Sequence, residues 1–261
     1  MNKILIAIDD GHGMETAGKR TPAFSDGRVM KENEFNRAVA DYLAKALERN
    51  GFAVLMVAPG NEDVCLNTRV LQANNKNAAA YISIHANAYG TTWNEANGLE
   101  TWIYEKVMPD SATYRFAKTI HDELIRETGL KNRGMKRSAD FCVLRSTRMH
   151  AVLVECGFMT NKNEATLLMD EGYRKKCAEA ICRGVCIFYE KAYTKEVEQM
   201  DKDRIQTIED APEWAQPMLR DMDVHDCFGD TEHLDLSMDM LRGMAFMYRY
   251  WEHRLQASGV L

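Results

Sequence analysis

Apolar residues fall in short runs separated by turn signals. Ile4–Ile8 is an unbroken apolar run that stops at Asp9-Asp10-Gly11, which predicts a buried strand and a tight turn. Phe35, Val39, Tyr42, Leu43, Ala46 and Leu47 then recur every three or four positions. That spacing predicts a helix over 33–49, with Gly51 placed as its C-terminal cap. Phe52–Val57 predicts the next strand, 64–77 a second helix, and Ala79–Ile84 a buried strand ending at His85. Further on, Leu99–Tyr104 reads as a strand and 111–128 as a helix. Phe141–Leu144 and Ala151–Glu155 read as strands, 163–169 and 171–190 as helices. Strands alternating with helices predict an α/β fold with a mostly parallel, twisted sheet flanked by helices.

The pattern changes near residue 193. Thr194–Asp210 is charged and poor in apolar residues, and reads as a linker or a solvated helix. Beyond it Trp214, Met218, Leu219 and Met222 share one helical face, and Leu241, Met244, Ala245, Tyr248 and Trp251 another. Two short amphipathic helices around an acidic loop are predicted. Charge follows the same division. Residues 192–261 carry 7 Lys and Arg against 15 Asp and Glu, a net −8, and the remainder nets +2, giving the chain its −6. The expected organisation is a domain over 1–192, a charged linker over 193–210 and a small helical C-terminal module over 211–261.

Bulk composition narrows the classes. Apolar residues make up 46% of the 261, enough for a real core, and no apolar run reaches the ~20 residues of a membrane helix. There is no basic stripe or aromatic RNA motif, so nucleic acid is not an expected partner. The seven cysteines are odd in number and lack paired spacing. The apolar start is too short for a signal-peptide core. Reduced thiols and a chain made in the cytoplasm without a signal peptide are therefore expected. Gly13–Lys19 imitates the start of a phosphate-binding loop, but Arg20 stands where magnesium binding needs Ser or Thr, and Pro22 follows closely.

Candidate chemistry sits at the ends of the predicted strands. His12 follows the first, His85 ends a middle one, and Glu155 ends a late one. In such sheets ligands bind beyond the carboxyl ends of the strands. Glu32 opens the first helix, the remaining place from which a side chain reaches that edge. Two histidines and two glutamates could provide three ligands for a zinc ion and one carboxylate as general base. Glu155 closes a run of four apolar residues, where an acid is costly to bury without a partner or a role.

Over about the first 190 residues these motifs resemble zinc-dependent N-acetylmuramoyl-L-alanine amidases of the type 3 amidase family, which are cell-wall hydrolases. The matching elements are Ile8–Gly13, Glu32 with Asn36, Leu66 and Arg69, Ile82–Ala88, Arg133-Gly134 and Val154–Asn161. The resemblance implies a sheet of about six strands, one Zn2+ held by His12, Glu32 and His85, and Glu155 as the catalytic residue. Asn87 and Arg133 are candidate substrate-binding residues, and peptidoglycan is the implied substrate. Two departures, Asp10 and His150 in place of prolines, touch no implied ligand. The apparent lack of a leader fits a phage or prophage endolysin, or an autolysin, that reaches the wall after holin-dependent release or lysis.

Trp214-Ala215, Leu236, Arg242 and Arg249 faintly resemble one S-layer-homology-like wall-binding unit. The module over 211–261 is thus expected to bind a secondary wall polymer or to form a homodimer. Two other readings of the main domain stay open: a catalytically silent peptidoglycan-binding protein, and a different zinc peptidase or deacetylase acting on the cell wall.

Overall fold

The structure is a computed structural model that describes residues 3–195, 205, 207–224, 227, 234, 236 and 238–257. It divides into two units, Met1–Lys195 and Glu196–Leu261. The first contains a six-stranded sheet in the order β2-β1-β3-β6-β4-β5. The strands are β1 (Leu5–Asp9), β2 (Ala53–Met56), β3 (Ala80–Asn87), β4 (Leu99–Tyr104), β5 (Asn132–Ser138) and β6 (His150–Phe158). The helices are α1 (Glu32–Arg49), α2 (Leu66–Asn75), α3 (Ala112–Thr128), α4 (Cys142–Ser146), α5 (Lys162–Met169) and α6 (Glu171–Phe188).

The two faces of the sheet build two cores. Ile6, Ile8, Ile82, Ile84, Val152 and Val154 pack with buried residues of α1, α3 and α6. The alternate positions Ala7, Tyr81, Ala151 and Leu153 pack instead with Val70 and Ala73 of α2 and with Val143 and Leu144 of α4. A strand covered on both faces has no polar alternation, which is why β1, β3 and β6 read as continuous apolar runs. Cys177, Cys182 and Cys186 lie buried along α6 in the larger core.

Two features differ from the sequence expectation. Phe141–Leu144 is not a strand: Phe141 caps α4, whose Val143 and Leu144 supply the apolar face. Four consecutive apolar residues suit either element, and only the tertiary partner decides. The chain instead places β5 at Asn132–Ser138, a polar stretch at the open edge of the sheet. Edge strands tolerate and favour such charge. The sheet is mostly parallel, as expected: β4 runs antiparallel to β6, and the other four of its five pairings are parallel.

The second unit holds α7 (Gln216–Val224) and α8 (Met238–Ala257). Met218, Leu219 and Leu241 are buried in its small core, with Met222, Met244, Ala245 and Tyr248 against it. Ile205 and Ile208, within the stretch read as linker, are also buried there, and Ile205 bridges to Leu236. Trp214 precedes α7 and is half exposed, and the Trp251 side chain lies outside the described residues. Among the described residues no helix is long and apolar enough to cross a membrane.

Candidate active site

Strand register sets the floor of the site. His85 of β3 pairs with Glu155 of β6, which pairs with Glu100 of β4. Register partners share a face, so these three side chains form one row across three strands. One strand over, Asp9 pairs with Ser83. Asp9 is buried and accepts hydrogen bonds from Arg69 (2.5 Å), Ser83 (2.8 Å) and Tyr81 (2.9 Å). The turn after β1 is thereby clamped to β3 and α2.

That turn presents His12, whose backbone is left-handed at φ 62°. Two donors hold this strained conformation through the His12 carbonyl: Arg69 at 3.0 Å and Asn33 of α1 at 3.2 Å. Asn33 and Asn36 also donate to the carbonyl of Gly11. Gly11 is required by proximity, since a Cβ there would overlap the His85 ring. Glu32, the first residue of α1, is 2% exposed and accepts from the Ala86 backbone at 3.3 Å.

His12, Glu32 and His85 therefore converge, their ligand atoms all within 4.8 Å of one another. Glu32 reaches His85 Nδ1 at 2.9 Å and His12 Nε2 at 3.5 Å. The two rings stand edge to face, with centroids 4.9 Å apart. Burial pushes the His12 imidazole down to about 4, against the pull of Glu32, so it is neutral with a lone pair free at neutral pH. Burial acts the same way on His85, but the hydrogen bond and charge of Glu32 outweigh it and raise its pKa. Burial alone would raise the Glu32 carboxyl, yet His85 and His12 hold it below the usual range.

Glu155 behaves differently. Burial pushes its carboxyl up to about 8, with Glu32 and Glu100 adding to the rise and His85 and Lys19 opposing it. Its Oε2 atom is buried without a hydrogen-bond partner. All four residues line one open cavity of about 370 Å³. A neutral imidazole, a second imidazole and an anionic carboxylate could together hold a divalent metal ion. Beside it Glu155 has a raised proton affinity, the kind of shift that marks a candidate acid or base. The residues fit a metal of the zinc class.

Asn87 lines the same cavity and donates to Glu100 at 2.9 Å. Arg133 does not line it: its guanidinium is held by Glu100 at 2.8 Å and sits over the Phe158 ring. Glu100 itself was not singled out from the sequence. It is 4% exposed and gathers Asn87, Arg133, Lys136 and Trp102. The signal was an acid in the strand-like run Leu99–Tyr104, which is rich in aromatic and β-branched residues.

The arrangement is an α/β domain with a two-His, one-Glu cluster and a lone acid at the carboxyl edge of its parallel strands. Residues 6–186 match the family model described as N-acetylmuramoyl-L-alanine amidase, and the chain belongs to that family. It is 33% identical over 182 residues to the N-acetylmuramoyl-L-alanine amidase CwlM of Bacillus licheniformis, spanning 70% of this chain and 67% of that protein. It is also 33% identical over 186 residues to the endolysin of Bacillus phage SPP1, spanning 69% and 64%. Among solved structures, the N-acetylmuramoyl-L-alanine amidase from Clostridium difficile 630 superposes with a TM-score of 0.66 at 30% identity, covering 73% of this chain and 98% of that one. The catalytic domain of CwlV from Bacillus (Paenibacillus) polymyxa gives 0.64 at 31% identity, covering 73% and 100%.

Proposed function

We propose that this chain is a zinc-dependent hydrolase of bacterial peptidoglycan that cleaves the amide joining the lactyl group of N-acetylmuramic acid to L-alanine. The observation that carries the reading is the convergence of His12, Glu32 and His85 opposite an unpartnered Glu155 in one open cavity. Membership of the amidase family supports the same bond as the target.

His12, Glu32 and His85 would hold one Zn2+, which when bound supplies a Lewis acid and lowers the pKa of its water to roughly 7. Glu155 takes a proton from the attacking water as the oxygen adds to the lactyl carbonyl carbon. It returns that proton to the amine as the carbon–nitrogen bond breaks, leaving a lactyl carboxylate and a free L-alanine amino terminus. Burial raises the proton affinity of this carboxyl in the metal-free cavity, and a cation held beside it would favour the anion that accepts the water proton. Glu32 orients His85, and the Asp9 network of Arg69, Tyr81 and Ser83 fixes the turn that carries His12. Asn87, anchored by Glu100, is placed to meet substrate, and Arg133 acts from behind through Glu100.

The test is metal content against activity. Purified wild-type protein should hold about one zinc, lose activity on chelation and regain it with added zinc. His12→Ala and His85→Ala should lower both zinc content and activity. Full activity in a metal-free preparation would overturn the reading.

We assign residues 211–261 to delivery, as a module that binds a secondary wall polymer or pairs two chains as a homodimer. The small core it forms together with Ile205 and Ile208 supports a separate role. The matched region spans only 35% of the amidase LytC of Bacillus subtilis, so such relatives carry further regions beside this domain.

A further inference from the structure

The cavity is rich in acid. Asp9, Glu32, Asp63, Asp140 and Glu155 all line it, and its lining cations are Lys19 and Arg69 among the described residues. Arg69 is 1% exposed and donates to Asp9, Asp63 and the carbonyls of Val64 and His12. Arg133 and Lys136 are held by Glu100, and Arg37 by Asp10 and Asn61. Lys19 is different. Its side chain is 43% exposed, and its ammonium lies 3.9 Å from Glu32 Oε2, a loose ion pair that leaves N–H donors free.

The backbone that carries Lys19 is pinned beside Glu32. Lys19 accepts from the Glu32 N–H at 2.9 Å, Arg20 pairs antiparallel with Lys31, and Thr21 N–H donates to Met30 at 2.9 Å. The side chain of Thr21 accepts from Met30 N–H at 3.0 Å, closing the clamp. Residues 19–21 are thus pinned to the start of α1, and the lysine leaves the backbone beside the residue it faces. Its charge is felt at His12, Glu32 and Glu155 together.

We propose that Lys19 is a catalytic residue for the scissile acyl group, its ammonium donating to the carbonyl oxygen as negative charge builds there and then to the product carboxylate. This rests on the amide-hydrolysis reading above. In the reaction the carbonyl oxygen gains charge when water adds, keeps it in the carboxylate product, and sits beside groups that are otherwise acidic. A donor aimed at that oxygen lowers the barrier more than it tightens ground-state binding. Lys19 keeps its proton throughout, so proton transfer remains with Glu155.

The test compares zinc-loaded wild type, Lys19→Met and Lys19→Arg on purified muropeptides, with zinc affinity measured separately by competition with a chromogenic chelator. The expected result for Lys19→Met is a fall in kcat of about 10²-fold, the usual loss for one such donor, with KM little changed. Lys19→Arg should recover part of it. Zinc affinity of Lys19→Met should hold or rise, because a repelling ammonium has been removed from beside the ligands. Inhibition by N-acetylmuramic acid, which carries the product carboxylate, should weaken. An unchanged kcat with active wild type overturns the assignment alone. So does a loss of zinc affinity that accounts for the lost rate, since Lys19 would then serve only to hold Glu32. So does a rise in KM alone that appears only with acidic stem peptides, which would place a peptide carboxylate on Lys19. A wild type that cleaves nothing with zinc bound overturns this inference and the reading beneath it.

Discussion

Glu155 should destabilise the metal-free protein at neutral pH. Its carboxyl titrates near 8 when folded against 4.5 ordinarily. The folded state therefore keeps a proton that the unfolded state releases, and stability falls as pH rises through that window. The penalty is absent below 4.5 and complete above 8. At pH 7 the gap of 2.5 units corresponds to roughly 3 kcal/mol at 1.36 kcal/mol per unit. Glu155→Gln keeps the shape and removes the charge, so the metal-free variant should be more stable than wild type by about that amount at pH 7. For a unit of this size the melting point should rise by about 6–12 °C. Below pH 5 the difference should shrink to well under about 1 kcal/mol. The assay is urea denaturation of chelator-treated wild type and variant across pH 4.5–8. Added zinc should narrow the gap, because a cation beside the carboxylate compensates its burial. The same variant should keep about one zinc and lose ~10²–10⁴-fold in hydrolysis. A variant no more stable than wild type at pH 7, or a difference that persists unchanged at pH 5, would refute the argument.

Three further outcomes follow from packing. Gly11→Ala should push the His85 ring out of place, costing about 1–3 kcal/mol by overpacking and lowering zinc affinity, as read by denaturation and chelator competition. Arg69→Met should cost about 3–5 kcal/mol, because Asp9 is left buried without its ion pair; a loss below about 1 kcal/mol in a urea melt would contradict this. A chain ending after Lys195 should fold, bind zinc and cleave soluble muropeptides. It retains Thr194, which bonds Asn50 and Arg49 at the end of α1, and that contact places the cut a few residues beyond the boundary at 192. Lost binding to intact walls would identify the tail as a wall-binding module, and conversion from dimer to monomer on sedimentation would identify it as a pairing module. An insoluble or zinc-free fragment would show that the first unit needs the tail.

The central strands were legible because both of their faces are buried, so β1, β3 and β6 appear as apolar runs with His12, His85 and Glu155 at their ends. Glu32 was legible from its place at the start of a strongly periodic helix. Chain direction and edge structure were harder to read. The reversal of β4 had a signal in the helix-free stretch 88–98, since a parallel return needs a crossover of about a dozen residues or more, usually helical. The stretch Asn132–Ser138 hid β5 because an edge strand needs no apolar alternation. Phe141–Leu144 hid α4 because a run of four fits either period. Glu100 and the mounting of Lys19 depend on cross-strand register and on a clamp between residues 19–21 and 30–32, contacts that no local pattern encodes.

The most direct test of the account is the bond that is cut. Purified muropeptides are digested with zinc-loaded protein, and the products are weighed by mass spectrometry and labelled at free amines. The account predicts new L-alanine amino termini and lactyl carboxylates, no new reducing sugar ends, and no cleavage by Glu155→Gln. Intact muropeptides, cleavage within the peptide or glycan, or equal cleavage by Glu155→Gln would contradict it.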